Sequence, residues 1–197
     1  MFANGRLAVT RISISIEWFR LFIFETMKTI LLIATIMVSS YCHAQKIISG
    51  SFELPTSETY LAVDWDCTKT VFEKKYNESE WSSINGEKEW NEAKSEAMGL
   101  ILRKMNDELE KSRIMVVRAN EKLKASYTMY ICPLKLDRKG NNVSQYVIKA
   151  NSNGEELGRI QVNGDGGHWG TFANLLGDGY EEAAKKVGKF INKKNKK

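Results

Sequence analysis

The sequence predicts an α+β fold, a two-layer sandwich in which a mainly antiparallel sheet of five to six strands carries two long helices on one face. Three observations predict it. Two stretches, Glu87 to Lys111 and Thr171 to Ile191, repeat apolar residues at steps of three and four, which draws one stripe down each helix. The segments around them alternate or run apolar for the length of a strand, in the order strand, helix, strand, three-strand meander, helix. The composition, 43% apolar and 27% charged with only 2 Pro, is that of a globular chain able to bury such stripes. Two helices that each need one face covered are served by one sheet face.

Lys46 to Leu54 reads as a short edge strand, ended at Pro55. Thr59 to Cys67 is a strand with a period of two, with Leu61, Val63, Trp65 and Cys67 on one face and Ala62, Asp64 and Asp66 on the other. Thr68 to Ile84 has aromatics among charges and no clean period, and reads as loop with one short element. In the first long helix Trp90, Ala93, Ala97, Ile101, Met105 and Leu109 form the stripe, Asn85 is the expected cap, and Glu87, Glu89 and Glu92 suit the positive end of the dipole. Strands are expected at Arg113 to Arg118, Ser126 to Leu136, Val143 to Ala150 and Leu157 to Asn163, with Pro133 marking an edge or a bulge and Asn153-Gly154 a tight hairpin turn. A glycine loop, Gly164 to Gly170, feeds the final helix, whose stripe is Phe172, Leu175, Leu176, Tyr180, Ala183, Ala184, Val187, Phe190 and Ile191. Gly179 lies on that stripe, where a missing side chain permits close approach.

The N-terminal part reads as a targeting signal. Met27-Lys28 opens a short apolar run, Ile30 to Val38, followed by small polar residues and Ala44-Gln45. A charge, an apolar core too short for a stable span, and a small residue at the cut make a secretory signal peptide over residues 27–44, cleaved between Ala44 and Gln45. Residues 1–26 then read as a start assigned too early or as a leader extension. Cys42 opens the alternative of an outer-membrane lipoprotein, against which stands the bulky Tyr41 before it. Residues 45–197 form the expected single domain, with a basic tail at 193–197 and no stable transmembrane span. It holds 25 Lys+Arg against 22 Asp+Glu. So mild a balance, without a basic stripe and a reading motif, excludes the nucleic-acid-binding classes.

Candidate site residues are scattered. Gly164, Gly166, Gly167 and Gly170 ahead of a helix resemble an anion cradle. Trp169 occupies the place where a dinucleotide loop needs a small residue, and no Gly-Lys-Ser/Thr ending follows. The loop therefore reads as a tight turn with Trp169 packed in the gap, and Asp165, His168 and Trp169 are its ligand-binding candidates. His168, the one histidine downstream of the cut, has no Cys or carboxylate cluster with which to hold a metal and no nucleophile elbow to serve. Asp64 and Asp66 are paired carboxylates on a strand's polar face, a pattern suited to acid–base work, to a cation, or simply to water. Cys67 and Cys132 either bridge, which export permits, or remain two free thiols. No cofactor motif is present.

Ala125 to Ile131, the strand-turn-strand with Asn153-Gly154-Glu-Glu-Leu157, and Gly166-Gly167 to Phe172 opening a helix that ends Val187 to Ile191 together resemble small exported domains of the curli-secretion lipoprotein or Tol-pathway N-terminal type. The resemblance spans roughly residues 90–191 and implies a non-enzymatic envelope part with envelope proteins as partners. The expectation is a periplasmic or secreted protein with a binding or assembly role. The alternative is a ligand- or glycan-binding module using exposed Trp81 and Trp169, whose flat apolar rings suit sugars.

Overall fold

A computed structural model describes residues 45–54, 59–120 and 125–195. The signal-peptide reading, Ala44 and the last two lysines lie outside the described residues. The elements run β1 (Gln45–Gly50), β2 (Thr59–Trp65), β3 (Val71–Phe72), α1 (Glu78–Asn85), α2 (Glu87–Leu109), a 3-10 turn (Glu110–Ser112), β4 (Ile114–Arg118), β5 (Tyr127–Leu136), β6 (Asn142–Ala150), β7 (Glu156–Gly164) and α3 (Phe172–Asn195).

The fold is α+β, and the sheet differs from the expected one in number and in direction. It has seven strands in the order β1-β7-β6-β5-β2-β4, with β3 beside β5. It is mixed: β1–β7, β5–β6 and β6–β7 are antiparallel, whereas β2–β4, β2–β5 and β3–β5 are parallel. The reason lies in connection length. Hairpins with short turns give antiparallel neighbours, as at Asn153-Gly154, where Gly154 takes a positive φ of 74°. A strand, a long helix and a further strand return the chain to its starting end and give a parallel pair, which is what α2 does between β2 and β4.

Both helical stripes pack on one face of this sheet. Trp90, Ala97, Ile101 and Met105 of α2 and Leu176, Tyr180, Ala184, Val187 and Ile191 of α3 join Leu61, Val63, Met129, Ile131, Ile148 and Ile160 in one buried cluster. Phe172 and Phe190 are half-buried against its margins. Phe72, Trp81, Trp90 and Phe172 meet at one end, Phe72 stacking on Trp81 at 5.2 Å between centroids and Trp81 meeting Phe172 at 5.0 Å. The segment 68–84 thus holds two elements rather than one, β3 and α1. Asn77 starts α1 through a reciprocal cap, its side chain accepting from the Glu80 N–H and the Glu80 carboxylate accepting from the Asn77 N–H.

Asn85 does not cap α2. It ends α1, its amide donating to the Trp81 carbonyl, and Gly86 precedes α2 with no side-chain cap. α3 begins one residue later than expected, with Thr171 and Asn174 bonded reciprocally across its first turn, and it runs on to Asn195. Pro133 sits at a register shift in β5, as its missing N–H requires. Gly179 is buried where a Cβ would collide with the Gly140 carbonyl oxygen, so the turn between β5 and β6 lies directly on α3.

The two sheet edges are finished differently. At β4 the Asn106 side chain of α2 donates to the Val116 carbonyl (2.9 Å) and accepts from the Val116 N–H (2.8 Å), standing in for a neighbouring strand. β1 at the other edge is exposed along its whole length.

Candidate functional site

With both long helices on one face, the side chains of the opposite face are left to form a surface of their own. Alternation along β5, β6 and β7 sends Tyr130, Cys132, Gln145, Lys149 and Arg159 to that side. With Asp66 they line a shallow hollow of about 200 Å³. Its polar groups are held by one another. Thr68 donates to Asp66 from its hydroxyl (2.6 Å) and its N–H (3.2 Å), and the Cys132 thiol lies 3.9 Å from the second Asp66 oxygen. Arg159 donates to Glu156 (2.6 Å) and to Gln145 (2.8 Å), and the Lys149 ammonium lies 5.5 Å from the centre of the Tyr130 ring.

The electrostatics follow from these contacts. The Thr68 hydroxyl bond holds Asp66 below the ordinary carboxylate range. The bond from Arg159 does the same for Glu156 and raises Arg159 in turn. Burial, assisted by the Asp66 charge, pushes the Cys132 thiol up to about 11, so it is protonated at neutral pH and a poor nucleophile. Such a surface offers hydrogen-bonding and charged groups around a small apolar area.

The expected site residues are not brought together. Asp64 is exposed, accepts from the Trp65 N–H at 2.8 Å, and lines a separate hollow of about 440 Å³ with Lys94, Ser95 and Arg118. Asp165, His168 and Trp169 stand on the β7–α3 loop. Two of the loop's N–H groups are engaged within the protein, Asp165 donating to the Glu182 carboxylate (2.6 Å) and Gly166 to the Asn141 side chain (2.9 Å). Trp169 is not packed in a gap. It is 91% exposed. Trp81, expected to offer an exposed ring, is 4% exposed within the aromatic cluster.

Cys67 and Cys132 are both free thiols, the second of the two expected arrangements. Cys67 belongs to the core cluster and Cys132 to the opposite face, as their parity on β5 and after β2 dictates. Burial pushes the Cys67 thiol up to about 12, with the Glu78 charge adding to it. Among the described residues no group of three or more His, Cys, Asp or Glu is placed to hold a metal ion. No helix among them is long and apolar enough to cross a membrane.

Sequence reasoning did not single out Arg159, Lys149 or Asn106. The first two carried a signal, as charged residues alternating with apolar ones in strands. Asn106 carried none, since its role depends on a strand edge ten residues away.

No protein-family model and no curated protein matches the chain. Solved structures similar to it include the PelC dodecamer from Paraburkholderia phytofirmans, at 12% identity and a TM-score of 0.39, covering 75% of this chain and 96% of that one. A candidate lipoprotein from Caulobacter crescentus is similar at 13% identity and a TM-score of 0.32, covering 49% of this chain and 81% of that one. A further uncharacterised protein is similar at 11% identity and a TM-score of 0.37, covering 71% of this chain and 95% of that one.

Proposed function

We propose that the chain is exported and acts in the cell envelope by binding or assembly rather than by catalysis, presenting the uncovered face of its sheet to a protein partner. The observation that carries the reading is the one-sided layering: α2 and α3 bury one face of the sheet, and the other displays a self-bonded array of Asp66, Tyr130, Gln145, Lys149 and Arg159. The signal-peptide pattern ending at Ala44-Gln45 supplies the export half.

Two measurements test it. A reporter enzyme active only outside the cytoplasm, fused after Asn195, is expected to be active, and N-terminal sequencing of the exported chain to begin at Gln45. A photo-crosslinking residue at Gln145, in living cells, is expected to give protein adducts that the same residue at exposed Asp107 on α2 does not. Adducts from neither position would remove the sheet-face reading.

A glycan-binding role is the second reading, favoured by one observation, the 91% exposure of Trp169. Quenching of tryptophan fluorescence by soluble polysaccharides, lost in Trp169→Phe, would support it.

A further inference from the structure

We propose that the edge formed by β1 and the last turns of α3 docks on an anionic phospholipid bilayer. From Lys185 to the chain end the sequence has seven lysines and no acidic residue. Within the described helix Lys185, Lys189, Lys193 and Lys194 form no ion pair among the described residues, whereas α2 mixes both signs along its length. Lysines in a final helical turn complement the helix dipole, which accounts for Lys193 and Lys194. That effect fades within one turn and does not account for Lys185 and Lys189.

The basic run does not stand alone. The Gln45 side chain donates to the Lys186 carbonyl (2.9 Å), and Phe52 meets Phe190 edge-on at 5.0 Å, so β1 and the segment after it lie along this part of α3. β1 there exposes Ile47 at 51% and Ile48 at 44%, two of the few large apolar side chains left in water. Lysines beside exposed isoleucines match the two layers of a bilayer surface, acidic headgroups and the acyl boundary beneath them. A hydrated acidic polymer would use the lysines and leave the isoleucines unexplained. The acids nearby are Glu182, which pairs with Lys186, Glu156, which pairs with Arg159, Glu53 between β1 and Leu54, and Glu108 of α2, whose side chain lies against Gly188.

The inference extends the export reading by naming a surface the exported chain would meet. Its test uses purified components, so either can fail alone. The chain expressed from its full coding sequence is mixed with vesicles of phosphatidylcholine alone, or of phosphatidylcholine with about one third phosphatidylglycerol, and sedimented. Binding is expected to favour the anionic vesicles and to weaken as salt is raised. It is expected to fall roughly fivefold for each lysine removed in a series ending at Lys185→Gln/Lys189→Gln/Lys193→Gln/Lys194→Gln. Ile47→Ser/Ile48→Ser is expected to weaken vesicle binding and to leave any binding to heparin unchanged. Equal sedimentation with both vesicle types, or anionic binding indifferent to the lysine series while the variants melt normally, would overturn the proposal. Heparin binding as strong as vesicle binding, with the isoleucine pair without effect on either, would assign the edge to an acidic polymer instead.

Discussion

Trp81 and Trp169 show how differently one residue type can be used. Trp81 packs on Phe72 and Phe172, so Trp81→Ala is expected to lower stability by about 3–5 kcal/mol in denaturant melts. Trp169→Ala is expected to change it by no more than about 0.5 kcal/mol, since almost nothing touches the ring. Tyr146 is a residue whose polar atom works against the fold. It is fully buried, and its hydroxyl has no hydrogen-bond partner. Tyr146→Phe removes that desolvated group and keeps the ring, and is expected to be neutral or to raise stability by about 1 kcal/mol. At this scale the sequence was least legible. Both tryptophans lie among charged or glycine-rich neighbours, and only the three-dimensional placement of α1 and of the β7–α3 loop separates a core ring from an exposed one.

At the scale of elements, the long helices and the four strands from β4 to β7 were readable because each has a sustained period, 3.6 or 2, that survives burial. β3 was not readable: two residues are too few for a period, and Val71–Phe72 becomes a strand only because Lys135 and Leu136 lie beside it. α1 was readable in principle from the Asn77-x-x-Glu80 cap, yet its burial rests mainly on Trp81, which leaves no stripe. The closest joint between elements is that of α3 with the β5–β6 turn. Gly179→Ala drives a methyl group into the Gly140 carbonyl and is expected to cost about 1–3 kcal/mol, measured as a lowered midpoint in urea. Gly177→Ala, by comparison, meets only the flexible end of the Leu100 side chain at 2.6 Å and is expected to cost less.

For the whole molecule, the layered architecture followed from patterning, whereas the direction of the strands did not follow from composition or period. It had to be read from connections: the helix between β2 and β4 gives one parallel pair, and β5, laid along the other side of β2, gives a second. The molecule as a unit also has a predictable pH range. Asp66, Glu156 and Glu182 have folded pKa values below their ordinary ones, so the stability they contribute is present above about pH 4.5 and is lost as pH falls through the folded values. Cys67, Tyr146 and Tyr180 are displaced upward by burial, so an unfolded chain releases their protons first. Their contribution is complete below about pH 9 and declines as pH rises toward the Cys67 value of about 12. Thermal melts across pH are therefore expected to show a plateau from about 5 to 8.5, a shallow acid flank from three partly solvated carboxylates, and a steeper alkaline one. A melting temperature still rising between pH 9 and 11 would contradict this placement of the buried hydroxyls and thiol.

The amide of Asn106 gives the sheet a polarity of growth. A filament built by adding strand to strand needs two adhesive rims on every copy, one to accept and one to offer. Here the Asn106 amide already takes the N–H and carbonyl of Val116, in the middle of β4, so strand addition at that rim has to displace the chain's own helix. Asn106→Ala frees both groups and is expected to open that rim to a further strand, visible as light scattering that rises with protein concentration.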